Sequence, residues 1–153
     1  MATADIDFRR NTASATELAA HLAACDASFV PPLSSRVVLD AYAKKIASRA
    51  ERFEAWSGDT LAGVVATYAG DPDGTAFVTN VSVLPAFARR GIGAALLHDC
   101  IAWLRDAGRH WARLEVSGDN SAAIHLYRGF GFTGDASAGT TLTLTLDLRA
   151  PTP

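Results

Sequence analysis

The stretch Val81-Ser82-Val83-Leu84-Pro85-Ala86-Phe87-Ala88-Arg89-Arg90-Gly91-Ile92-Gly93-Ala94 decides how this chain is organised. Its first residues alternate as a strand, Pro85 stops them, and a short loop turns through Gly91 and Gly93 directly into a helix. Two glycines let the backbone approach a bulky anion closely. The first turn of the helix leaves several N–H groups unpaired, and the macrodipole makes that end positive. A diphosphate sits well there, with Arg89 and Arg90 adding charge-assisted hydrogen bonds. The same residues also describe a plain strand-to-helix turn with two solvated arginines.

Working outward, the strand spans residues 75–84 and follows the turn Asp71-Pro72-Asp73-Gly74. The helix runs from about Gly91 to Ala107, burying Leu96, Leu97, Cys100, Ile101 and Leu104, and Gly108 ends it. Upstream lie a strand at residues 6–10, a helix at 14–25 with Leu18 and Leu22 inward, and the break Phe29-Val30-Pro31-Pro32. Ser34 or Ser35 is placed to cap a second helix whose apolar stripe is Leu39, Tyr42 and Ile46. Strands at 52–57 and 61–69 read as a hairpin through Gly58-Asp59. Downstream, residues 111–117 form a strand, and Asp119-Asn120-Ser121 opens a short helix stopped by Gly129. Thr and Leu then alternate over residues 140–148 as a closing strand with one buried face. The order predicts one α/β (α+β) domain over residues 1–153, with a mostly antiparallel sheet and one right-handed βαβ crossover.

Bulk properties remove several classes of function. A chain of 153 residues, 49% hydrophobic and 20% charged, suits one globular domain with a substantial core. A net charge of −2 argues against nucleic acid as the partner. Asp5 and Asp7 near the N-terminus do not suit a secretory leader, and no apolar run approaches the roughly 18–20 residues needed to span a bilayer. Cys25 and Cys100 lie far apart, without the spacing of a zinc site, so no metal and a reducing, cytoplasmic compartment are expected. A dinucleotide fold fails on three counts. Leu96 occupies the third glycine position, the strand ends about six residues before Gly91, and too little chain follows Glu115 to complete a doubly wound sheet.

The block around Gly91 resembles the acyl-CoA-binding motif of the GNAT superfamily of N-acyltransferases. There a strand ending Val-x-Pro precedes Arg/Gln-x-x-Gly-x-Gly/Ala; here the residues are Val83-Leu84-Pro85 and Ala88-Arg89-Arg90-Gly91-Ile92-Gly93. A second signature looks similar downstream, where Leu114-Glu115-Val116 leads to Asn120, Ala123, Tyr127 and Gly131-Phe132. The resemblance is close over residues 75–132. Ala88 departs from it, standing where the family commonly has Arg or Gln. Because backbone amides do most of the cradling, that departure weakens the site without abolishing it.

The resemblance implies a twisted sheet flanked by helices on both faces and acetyl-CoA as cosubstrate. The backbone of Val81, Ser82 and Val83 would pair with the pantetheine arm like an added strand. Residues Ala88 to Ala94 would hold the diphosphate. Asn120 and Ala123 would complete the cofactor site, although Asn120 or Asp119 also suits a plain helix cap. Tyr127 would protonate the departing thiolate; its alternative is ordinary packing between helix and sheet.

The acceptor is expected to be an amine of a small molecule or peptide, lined by Phe29, Tyr68 and Asn80. Deprotonating a lysine-like amine of pKa about 10.4 at neutral pH costs roughly 4–5 kcal/mol, so a base or water relay is expected. The strand at 75–84 offers no carboxylate. Glu115 shares a face with Arg113 and Ser117 and is a candidate base, an arginine-paired structural glutamate being the favoured reading; His21 and His98 read as helix-surface residues, and no base is assigned. Self-association into a homodimer is left open, and a non-catalytic acyl-CoA sensor of the same fold is the contrasting function.

Overall fold

The computed structural model of the protein describes residues 6–134 and 141–149. Six strands form one sheet in chain order: β1 (Ile6–Arg10), β2 (Glu51–Ser57), β3 (Thr60–Tyr68), β4 (Thr75–Val83), β5 (Trp111–Ser117) and β6 (Thr141–Asp147). All neighbours are antiparallel except β4 and β5. Those two are parallel because α3 (Ile92–Asp106) carries the chain back between them. Helices α1 (Ala15–Cys25) and α2 (Leu39–Arg49) lie between β1 and β2, and α4 (Ser121–Gly129) lies between β5 and β6.

The helices cover both faces, so there are two cores. On one face Leu18, Leu22, Ala43 and Ile46 of α1 and α2 pack against Trp56, Leu61, Val64 and Ala66. On the other, Ile92, Leu96, Leu97, Ile101 and Leu104 of α3 meet Phe53, Val65, Val78, Leu114 and Leu144. Helix α3 lies so close to β3 that a Cβ at Gly63 would sit 2.9 Å from Ile92 Cγ2. A larger residue there would push the helix off the sheet.

Local chemistry explains most helix ends. A capping box starts α1: Ser14 Oγ accepts from the Glu17 amide and Glu17 accepts from the Ser14 amide. Asn120 Oδ1 accepts from the Ala123 amide and caps α4. Helix α2 departs from expectation. Residues Leu33–Ser35 form a separate 3₁₀ turn, and α2 begins after Val38 with no side-chain cap. Both the amide and the hydroxyl of Ser34 donate to the Asp26 carboxylate at 2.7 Å, so Ser34 is used before α2 starts. The stop of α4 also shifts. Gly129 is helical, and Gly131 takes the left-handed φ of 98° that turns the chain into Phe132. Of the expected closing strand, residue 140 lies outside the described residues.

Candidate active site

Strands β4 and β5 pair only at their beginnings, Thr75 to Phe77 against Trp111 to Arg113. Beyond those rungs residues 78–83 and 114–117 line opposite walls of a cleft of about 450 Å³. A bulge shapes the first wall. Ala66 of β3 pairs with Asn80 and Thr67 with Val78, leaving Thr79 as an extra residue in β4. The Tyr42 hydroxyl of α2 donates to the Thr79 carbonyl at 2.7 Å, satisfying a group the bulge takes out of the ladder. The extra residue also reverses the alternation of side chains. Ala76 and Val78 pack toward α3 before it, and Val81 and Val83 do so after it. Asn80 and Ser82 therefore turn to the α1–α2 face.

At the end of β4 the chain builds a cradle of amides. Arg89 and Gly91 take left-handed φ values of 66° and 76°. Among the described residues none of the six amides from Arg89 to Ala94 has a backbone acceptor, the first helical bond being Ala95 N–H to the Gly91 carbonyl. Successive unpaired N–H groups at a helix N-terminus form an anion-binding concavity. The space over it is open. A Cβ on Gly91 would meet nothing within 4 Å, and one on Gly93 only Val83 Cγ2 at 3.6 Å. The Arg90 guanidinium stands 5.1 Å from the centre of the Phe87 ring.

Helix α4 brings Asn120, Ala123 and Tyr127 to the same cleft. The Tyr127 ring packs edge-to-face on Phe132, centroids 6.0 Å apart. Burial pushes its hydroxyl up to about 12, so it keeps its proton at neutral pH. The expected cofactor residues Val81, Ser82, Val83, Asn120, Ala123 and Tyr127 thus line one cleft. Residues 89–94 form the cradle, Gly93 lying beside Val83 of the cleft; the expected residue Ala88 adds no amide to it, because its N–H donates to the Pro85 carbonyl at 3.2 Å.

A family model described as the acetyltransferase (GNAT) family matches residues 16–132, about three quarters of the chain. The chain belongs to the GNAT acetyltransferase family. Mycothiol acetyltransferase of Nocardiopsis dassonvillei is 43% identical over 63 residues, 41% of this chain and 18% of that protein. The ribosomal protein bS18-alanine N-acetyltransferase of Salmonella typhimurium is 45% identical over 53 residues, 35% of this chain and 36% of that protein. The matches therefore span well under half the length of these relatives. An acetyltransferase of Salmonella typhimurium, solved with its cofactor acetyl-CoA, shares the fold at a TM-score of 0.73 and 21% identity over 95% of each chain.

The other wall of this GNAT cleft is built from the α1–α2 side. Phe29 and Asn80 line it as expected, joined by Val30, Pro31, Leu33 and Arg36. Tyr68 does not. It pairs with Phe77 before β4 and β5 diverge, and it packs on the α2 core with the Lys45 ammonium 5.3 Å from its ring centre. Glu115 is exposed in the cleft wall. The expected arginine pairing is not formed: Arg113 lies over the Phe77 ring at 5.7 Å, and Glu115 has no ion pair among the described residues.

Two residues of α1, one in this wall and one behind it, escaped the sequence reading. His21 is 3% exposed rather than on the helix surface, and Cys25, one turn on, lines the cleft. The signal was present, since positions 18, 21, 22 and 25 share one face of α1 and all four are buried. No group of His, Cys, Asp and Glu among the described residues could hold a metal, and no helix is long and apolar enough to cross a membrane.

Proposed function

We propose that the chain is an acetyl-CoA-dependent N-acetyltransferase that acts on a primary amine by direct attack. The observation that carries this reading is the position of Tyr127, a buried tyrosine that keeps its proton at neutral pH in the wall of a cleft ending at an amide cradle. The diphosphate of acetyl-CoA rests on residues 89–94, and its pantetheine arm lies along the backbone of Val81 to Val83. The amine nitrogen attacks the thioester carbonyl carbon, the C–S bond breaks, and Tyr127 gives its proton to the departing sulfur. The amine's surplus proton leaves on the opposite side. Glu115 is the carboxylate among the residues lining the cleft, and Asn80 the neutral polar side chain facing it across the gap. No metal takes part in this scheme. Phe29 and its neighbours to Leu33 form the acceptor side.

The bS18-alanine N-acetyltransferases among the relatives make a peptide α-amine the first acceptor to try, with small primary amines beside it. The test is thiol release from acetyl-CoA in the presence of an alanine-led peptide and a panel of amines. Amine-dependent release with a matching acetylated product supports the reading. Tight CoA binding with no release for any amine would favour a non-catalytic acyl-CoA sensor.

A further inference from the structure

Strand β1 is an outer edge of the sheet, and among the described residues no strand pairs with its far side. The phase of its hydrogen bonds is fixed where it ends. Asn11 N–H donates to the Arg52 carbonyl at 3.2 Å, so the Arg10 carbonyl of the same trans peptide points away from β2. The register of β1 on β2 is unbroken. Ile6, Phe8 and Arg10 therefore turn their N–H and C=O groups outward, and Asp7 and Arg9 turn theirs to β2. Side chains alternate between the two faces of the sheet. Ile6 packs against the α3 core, and the Arg10 guanidinium lies 3.9 Å from the centre of the Phe53 ring, so Phe8 between them shares the α3 face. There it borders a groove of about 380 Å³ whose other side is Trp103 and its neighbours on α3, and it is 50% exposed. Asp7 and Arg9 lie on the opposite face, paired with each other at 2.8 Å.

We propose that the outer edge of β1 pairs with β1 of a second copy of this chain, antiparallel about a two-fold axis at Phe8. In that register Phe8 faces Phe8 and Ile6 faces Arg10, each pair exchanging both of its hydrogen bonds. Asp7 lies opposite Arg9 of the second copy in the non-hydrogen-bonded pairs, about 4.5 Å between Cα atoms, where side chains come closest. Each carboxylate thus gains an arginine across the axis. The charges also select this register. An axis one residue to either side would set Asp7 on Asp7 or Arg9 on Arg9, and like charges directly opposite repel. Because the axis stands perpendicular to the sheet, both copies of α3 lie on one face. The two Phe8 rings meet between them and close each other's groove, burying an aromatic ring that the single copy leaves half in water. Edge strands are commonly blunted by a bulge, a proline or an inward-pointing charge. Strand β1 has neither bulge nor proline, and its charges attract in this one arrangement. The opposite edge of the sheet differs, since Thr133 bridges Thr145 on the outer side of β6. Like edge meets like, and assembly closes at two copies.

Sedimentation velocity of the full chain is the test. At about 100 μM protein the wild type should run as a dimer, a concentration suited to an interface at the small end of the range. Asp7→Arg and Arg9→Asp each set like charges opposite one another across the axis, and each should weaken the dimer by about tenfold or more. Both positions are exposed, so the urea unfolding midpoint of each variant should match that of the wild type. The double variant Asp7→Arg with Arg9→Asp restores opposite charges in the same register and should recover the wild-type dimer. A wild type that stays monomeric at that concentration overturns the proposal. So does a dimer indifferent to both single reversals, or a double variant that associates no better than they do. Species larger than a dimer would show contact between unlike surfaces and overturn it as well.

Discussion

Phe77 and Arg113 form the last paired rung between β4 and β5, and the side chains reinforce it, the Arg113 guanidinium lying 5.7 Å from the Phe77 ring centre. Everything the site needs lies beyond that rung. The strands part where Thr79 adds an extra residue, and the freed edge of β4 faces Tyr127 and Asn120 across the gap. A parallel pair that continued to Val83 and Ser117 would close the cleft.

Gly93→Val tests the cradle. Its Cβ meets only Val83 Cγ2, at an ordinary 3.6 Å, so the fold should tolerate the change. The branched side chain occupies the space above the free amides. CoA affinity by calorimetry should fall by about tenfold or more, equivalent to about 1.4 kcal/mol. Unchanged affinity in a folded variant would move the diphosphate elsewhere.

Tyr127→Phe keeps the edge-to-face contact with Phe132 and removes only the hydroxyl. Stability should hold, and kcat should drop on the order of 10–10³-fold where chemistry limits the rate. Because the hydroxyl is pushed up to about 12, it loses its proton only in strong base. The wild-type profile of kcat should therefore show no basic limb from Tyr127 near neutral pH. An identical kcat in the variant would leave Tyr127 as a packing residue.

Glu115→Gln and chelator treatment together test how the proton leaves. A chelator should leave activity intact, in line with the lack of a ligand cluster among the described residues. Glu115 lines the cleft and has no ion pair among the described residues, so its removal should lower kcat/KM by about tenfold or more, within the range for a positioned base. The pH profile should then rise toward the amine's own pKa instead of reaching a plateau. If rate and profile are both unchanged, a water relay near Asn80 and Ser82 carries the proton.

Glu54→Ala tests the support beneath α1. Glu54 is fully buried and 3.2 Å from Arg52, and it accepts from the Thr12 and Ala13 amides, the Thr12 hydroxyl and the Trp56 indole. Removing one partner of such a pair should cost roughly 3–5 kcal/mol in urea unfolding. Burial raises the Glu54 pKa, but the hydrogen bonds outweigh it, and the net shift is below its ordinary 4.5. The folded state then binds fewer protons than the unfolded chain. The contribution is complete above 4.5 and is lost as pH falls through the folded value. Glu54→Gln should flatten the acid side of the stability profile, and a profile like the wild type's would assign the acid loss to other groups.

Part of the candidate site was legible from local spacing, the glycines at 91 and 93 marking the turn into α3, whereas Asn120, Ala123 and Tyr127 were singled out by the resemblance to the GNAT family; each group lies on one element, so its mutual geometry follows from that element's period. Ser14 and Asn120 act as caps because a cap depends on residues only three positions away. Ser34 was misread for the complementary reason: its partner is Asp26, in a turn that only the folded loop brings near. His21 was misread because a helix shows its apolar face in sequence but not which polar residue on that face will find partners. His21 and Ser82 are 61 positions apart and 2.9 Å apart in space.

By itself the sequence determined the order of elements, the amide cradle at the start of α3 and the presence of Tyr127 on the helix after β5. These depend on backbone preferences and short-range periodicity, which act within one or two turns of chain. Only the tertiary structure decided that Tyr68 lies outside the cleft, that Glu115 enters it without an arginine, and that Asn80, Ser82 and His21 form one chain. A single inserted residue at Thr79 controls which face Asn80 and Ser82 present. A bulge of that kind has no signature in the alternation of β4. It is set by β3 pairing along one edge and by the Tyr42 hydroxyl arriving from α2.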